Sequence, residues 1–321
     1  MWRAIAKLAV SALLLWLLLR HQNLAALRSE LAQIDYRMLI VAALVYAALT
    51  PALALRWSAV LAALGRPFGF RHSFPIVMIG LFFSQMLPSG VGGDVARAWL
   101  ARNAGLPLPV AVSSVLVERL AGVLALFVVV TTGLPALLQI PAGAAVTRAT
   151  LLVLTAGYAG LGCAFLLDRL PAALDRFKLV RGLRQFAVDC RATLLAPRSA
   201  VPVLGFSFAN QLGVVLVIFV LGQALGLSVG IVACLLIVPL SNLVQVLPIS
   251  IAGWGVREGF LVAAFGMFGV AAEKAFALSV IFGLLTIVIS LPGGVIWIVR
   301  RRAGGGADIP ANAPLIEAGL Q

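Results

Sequence analysis

Apolar residues occupy this chain in long blocks, and the interruptions between them are short and mostly basic. Blocks at 38–64, 109–137, 149–167, 201–225 and 274–299 are long enough to cross a bilayer, at ~1.5 Å of rise per residue and a hydrocarbon core of ~30 Å. Pro51 falls inside the first of these and predicts a kink. A shorter block at 4–19 follows Arg3 and Lys7 and competes with a signal peptide. No small-residue cleavage site follows it, and the chain runs on through Arg20, His21 and Arg28, so it predicts an uncleaved first span.

Two further blocks, 74–87 and 231–247, are short and run straight into Pro88 and Pro248. After the first, the stretch from Asp94 to Arg102 is too charged to cross lipid; after the second, a weakly polar stretch, 254–271, returns. The two interruptions repeat one another. One reads Gln85-Met-Leu-Pro-Ser-Gly-Val-Gly-Gly-Asp-Val-Ala-Arg97; the other reads Gln245-Val-Leu-Pro-Ile-Ser-Ile-Ala-Gly-Trp-Gly-Val-Arg-Glu258. Pro88, Gly90, Gly92 and Gly93 in the first, and Pro248, Gly253, Trp254 and Gly255 in the second, mark turns where a helix must break. Paired, broken apolar segments in two halves of a membrane protein point to a transporter's binding site.

Charge arbitrates between two topologies. If both short arms are re-entrant hairpins, the N-terminus, Arg66 and Arg71, Arg97 and Arg102, the loop 168–199 and Arg300–Arg302 all share one side. If both cross fully, giving eight transmembrane helices, that basic set is split. The positive-inside rule favours the first, with the termini cytoplasmic. The expected fold is therefore an all-α polytopic membrane protein with six full spans and two re-entrant hairpins. Three spans separate the hairpins, which places them on opposite faces as an inverted repeat. The halves are 38–137 and 201–299 within a single membrane domain, 1–302, and the Gly/Pro/Ala tail 303–321 is expected to be disordered. Within 168–199, apolar residues from Leu174 to Leu194 recur at helical spacing with arginines between them. That pattern fits either a helix lying on the membrane surface or a solvated basic loop.

Composition changes little in this picture but closes off others. The chain has 321 residues, 62% hydrophobic and 11% charged, which excludes an ordinary soluble domain. The net charge of +13 is explained by Lys and Arg at membrane-helix ends, so no nucleic-acid partner is expected. Three scattered cysteines and two histidines provide no metal site, catalytic triad or disulfide framework. The Gly90–Asp94 stretch lacks the ending of a nucleotide-binding P-loop, and no cofactor is expected.

The charges inside apolar blocks need an explanation, because each costs roughly 2.5–3.5 kcal/mol at a bilayer centre without a partner or a wet cavity. Glu118 and Arg119 sit well inside the block 109–137, and as helix neighbours they diverge. Their partners are expected among Asp94, Arg97, Arg257 and Glu258. Ser114, Glu118 and Gly122 share one helix face. These six charged residues are the candidate lining of a cavity between the halves, where a headgroup phosphate meets Arg and an amine meets Asp or Glu; ion pairs that only brace the re-entrant loops are the plainer alternative. Gly157, Gly160 and Gly162 predict close helix approach in 149–167.

The two turn motifs, together with Val117-Glu-Arg119, resemble the lysylphosphatidylglycerol synthase transmembrane, or flippase-like, family over nearly the whole chain, roughly 5–300. The resemblance implies a multi-pass protein of the bacterial inner membrane that moves anionic or aminoacylated lipids between leaflets. In the best-known members a separate cytosolic domain makes the lipid, while other relatives stand alone. This chain ends soon after its last helix, so a membrane region without that domain is expected, working beside a lipid-synthesis enzyme. The rival readings are a membrane enzyme acting on lipid and a non-catalytic scaffold for lipid synthesis, hopanoid or glycolipid synthesis among them.

Overall fold

The computed structural model describes residues 32–87, 91–137, 144–169, 176–246 and 253–302, together with Arg20. The predicted span 4–19, the tail 303–321 and the turn residues Pro88, Gly90 and Pro248 lie outside the described residues. Every regular element among the described residues is helical. In chain order these are α1 (Tyr36–Ala63), α2 (Phe70–Met86), α3 (Gly92–Asn103), α4 (Leu108–Leu137), α5 (Ala144–Leu166), a 3₁₀ turn (Leu167–Arg169), α6 (Lys178–Leu194), α7 (Pro197–Ala224), α8 (Ile231–Val246), α9 (Val256–Gly266) and α10 (Ala272–Arg302). Five of the described helices are long and apolar enough to cross a membrane: α1, α4, α5, α7 and α10. The protein is an all-α polytopic membrane protein.

Four helices on each side of α5 and α6 match in length and in packing. The helices α1 to α4 hold 28, 17, 12 and 30 residues; α7 to α10 hold 28, 16, 11 and 31. Their neighbours are exchanged in step: α1 lies along α7, α2 packs on α10 as α8 packs on α4, and α3 packs on α4 as α9 packs on α10. At ~1.5 Å per residue, α2 and α8 reach ~24–26 Å and α3 and α9 ~17–18 Å, short of a ~30 Å core. The first pair doubles back on itself. Gly80 of α2 faces Arg97 of α3 and Ser84 faces Gly93, contacts that run in antiparallel order.

In lipid, helix association rests on close packing and interhelical hydrogen bonds, because the tails are as apolar as the side chains. Here α10 presents Gly293 and Gly294 flat against Met78 and Phe82 of α2, and Gly213 of α7 receives the Leu49 side chain of α1. Gly157 of α5 takes the Phe127 ring of α4, but Gly160 and Gly162 meet nothing within 4 Å. The expectation for those two is corrected: both are exposed with nothing packed on them, and of the three glycines only Gly157 seats a neighbouring side chain.

The basic stretch 178–194 forms a helix, α6, and not an irregular loop. It buries Ala187, Cys190 and Leu194 against the bundle. Asp189 accepts hydrogen bonds from Ser113 of α4 and from Gln185, and Arg191 pairs with Asp168 after α5.

Candidate functional site

Three helices of the first half bring five charges together. Arg56 comes from α1, Asp94 and Arg97 from α3, and Glu118 and Arg119 from α4. Asp94 sits in the first turn of α3, where the helix dipole favours a carboxylate, and Arg97 follows one turn on. Glu118 is buried at 2% exposure. Its Oε1 accepts from Arg56 Nε at 3.0 Å and Nη2 at 2.6 Å, and its Oε2 accepts from Arg97 Nη2. Arg97 also lies 4.0 Å from Asp94, and Arg119 Nε donates to Asp94 Oδ2. The result is a continuous chain, Arg56–Glu118–Arg97–Asp94–Arg119. Three guanidiniums against two carboxylates leave it at 3 − 2 = +1.

The surroundings fix this chain in place. Arg97 stacks over the Trp57 ring at 4.7 Å, and that indole donates to Ser114 Oγ at 3.0 Å. Ser114 in turn donates to the carbonyl of Ala111. Arg97 Nε is buried without a hydrogen-bond partner. A cavity of about 350 Å³ lies beside all five charges, and Asn210 and Gln211 of α7 and Asn242 of α8 also line it. Gln211 bridges to the Gly122 carbonyl at 3.4 Å and receives the Asn242 amide at 3.5 Å. Both halves of the molecule thus contribute to the cavity walls. Its volume is at the lower end of small-molecule sites, ~300–1,000 Å³.

Arg257 and Glu258 lie elsewhere, at the junction of α9 and α10. Neighbours in sequence, they nevertheless pair: Arg257 reaches Glu258 Oε1 from Nε at 3.1 Å and from Nη2 at 2.6 Å. The reason is local. Glu258 bends back to accept the Gly255 N–H at 2.5 Å, capping the start of α9, and Ser279 of α10 bonds both partners. Gly253 and Gly255 sit at φ +80° and +87°, a left-handed backbone that favours glycine, and this sets the entry to α9. The glycine at 253 also leaves room for Gln245, whose side chain occupies the place of a Cβ. Trp254 and Phe282 cover the guanidinium at 4.8 and 5.7 Å. This second cluster is nearly sealed, at 4% and 0% exposure for Arg257 and Glu258, and neutral in sum.

Of the residues expected to share one cavity, Asp94, Arg97, Glu118 and Arg119 do so, whereas Arg257 and Glu258 form a separate buried pair. Glu118 finds Arg56, not Arg257, beside Arg97. In the first turn region, Gly92 packs against Leu87, Gly93 against Ser84, and Gln85 lines a second, smaller cavity. Arg56 was legible only as a lone arginine inside a long apolar block; the cost of a charge at that depth is the signal that marks it. Asn210, Gln211 and Asn242 carried no such signal, since uncharged amides in apolar helices are common interhelical glue. No group of three or more His, Cys, Asp or Glu among the described residues could hold a metal ion.

Fold and site together define a polytopic helical membrane protein with a charged cavity built between two matched halves. The sequence matches the family described as Lysylphosphatidylglycerol synthase TM region across residues 4–293, and the chain belongs to that family. No curated protein matches it.

Proposed function

We propose that this chain moves an anionic or aminoacylated membrane lipid between leaflets, with the headgroup passing through the charged cavity while the tails stay in lipid. The carrying observation is the five-charge chain with net +1 on the wall of a headgroup-sized cavity. A lipid phosphodiester bears one negative charge and matches that excess. Arg97, stacked on Trp57, lines that cavity and offers its guanidinium to a phosphate oxygen. Asp94 and Glu118 tether the arginines, and Asp94 offers a carboxylate to an amine on the same headgroup. Family membership supports a place in lipid metabolism or transport. A bacterial inner membrane with cytoplasmic termini, and a lipid-synthesis enzyme as partner, belong to the same proposal and follow from the basic loop ends and the resemblance.

The test is leaflet-resolved lipid exposure in cells with and without the protein, using a membrane-impermeant headgroup label and lipid mass spectrometry. A lipid made equally in both strains but exposed only when the protein is present supports transport and names the substrate. A lipid missing altogether from the deletion strain overturns it in favour of synthesis, as enzyme or scaffold.

A further inference from the structure

The five charges on the cavity wall are not equally held. Glu118, Arg56 and Arg97 are buried together, and Glu118 takes both arginines. Arg97 is pinned a second time by the Trp57 ring and by Gly80, where a Cβ would strike its side chain. Asp94 is 13% exposed and Arg119 50%, so the chain of charges runs from a sealed end to an open one. Arg119 leaves α4 about 100° round from Glu118, and its half-exposed side chain reaches Asp94 Oδ2 through Nε. The other oxygen, Oδ1, lies 4.0 Å from Arg97 Nη1. Asp94 therefore stands between a fixed cation and an exchangeable one.

Exchange at Asp94 changes the charge of the wall. With Arg119 in place the chain carries +1, and a lone phosphate balances it. With Arg119 turned away, two guanidiniums and two carboxylates remain, 2 − 2 = 0, and the Asp94 carboxylate lies open beside Arg97. A headgroup that carries a phosphate and a primary amine on a short link is then the balanced ligand. Its phosphate meets Arg97, and its ammonium takes the place of Arg119 on Asp94. An exposed ion pair gains little over water, whereas breaking a buried one strands a charge, so the incoming ammonium displaces Arg119 and not Arg97.

We propose that Arg119 is a specificity-determining latch on Asp94. In place, it fits the cavity to an anionic headgroup without an amine; displaced, it admits the amine of a zwitterionic, ethanolamine-type headgroup. This rests on the headgroup reading above and adds the residue that chooses between the two charge classes of lipid.

The experiment measures binding of short-chain phosphatidylethanolamine and short-chain phosphatidylglycerol to the purified full chain in detergent. The readout is the ratio of the two affinities, which a general loosening of the fold does not move. Arg119→Gln removes the rival cation and the excess charge together, and is expected to shift the ratio toward phosphatidylethanolamine at least about tenfold, ~1.4 kcal/mol. Arg119→Lys keeps the cation and is expected to hold the wild-type ratio. Adding Asp94→Asn to Arg119→Gln is expected to cancel the shift. A folded Arg119→Gln protein with the wild-type ratio overturns the latch and leaves the transport reading standing; a wild type that binds neither lipid overturns both. If Arg119→Gln does not fold, Asp94→Asn decides. It is expected to weaken phosphatidylethanolamine at least about tenfold more than phosphatidylglycerol, and an equal loss of the two overturns the latch.

Discussion

Removing Glu118 should be among the most damaging single changes in the molecule. The carboxylate is 2% exposed and holds two guanidiniums whose own side chains are only 12% and 11% exposed. Glu118→Ala leaves both cations desolvated, with Arg56 losing both of its hydrogen bonds to Glu118 and Arg97 keeping only the longer approach to Asp94. Breaking a buried pair in this way costs ~3–5 kcal/mol. Because two arginines depend on one carboxylate, the cost should sit at the upper end, and the local charge rises from +1 to +2. Glu118→Gln retains the shape and tests charge alone. The assay is thermal unfolding of detergent-purified protein for Glu118→Ala, Glu118→Gln, Arg97→Ala and the Glu118→Ala/Arg97→Ala pair. The cycle should show coupling between 118 and 97 of ~1–3 kcal/mol, while the double variant stays less stable than Arg97→Ala alone, since Arg56 is still orphaned. A Glu118→Ala protein that melts with wild type would refute the reasoning, because an uncompensated buried cation pair cannot be free of cost.

Other perturbations separate structural from functional roles. Arg119, half exposed at 50% and paired with Asp94, should cost less than ~1 kcal/mol of stability when changed to Ala, yet reduce lipid exposure in the leaflet-resolved assay. In the sealed second cluster, Arg257→Ala should cost ~3–5 kcal/mol in thermal unfolding by stranding Glu258, whereas Ser279→Ala, which leaves that pair intact, should cost ~1 kcal/mol. Gly293→Ala pushes a methyl into the Met78 carbonyl and should destabilise by ~1–3 kcal/mol or more, while Gly160→Ala, with open space around it, should be neutral or gain up to ~1 kcal/mol from helix propensity. Burial, with Asp189 beside it, pushes the Cys190 thiol up to about 12, so at pH 8 it should resist maleimide until the protein is unfolded. Rapid labelling of native protein at that position would place α6 off the bundle.

The sequence by itself determined the membrane class, the helix positions and the repeated broken turns. Those properties are local: apolar length decides what can cross lipid, and clustered Gly with Pro marks where a helix breaks, whereas single prolines such as Pro51 stay inside one. Thus 38–64 became Tyr36–Ala63 and 231–247 became Ile231–Val246 with only small shifts of boundary. The charges at Asp94, Arg97, Glu118 and Arg119 announced themselves because their type is costly in an apolar block. Which charge meets which was decided only by tertiary packing. Equivalent turns, each ending in an arginine, gave unequal results: α3 delivers Arg97 across to Glu118 and Arg56, whereas the Gly253–Gly255 turn lets Glu258 cap its own helix and hold Arg257 beside it. Partners such as Arg56 and Glu118 stand 62 residues apart, a separation on which periodicity is silent. The amide wall from α7 and α8 likewise meets the charges only once the halves are packed, because each helix supplies a fraction of a surface that no single segment encodes.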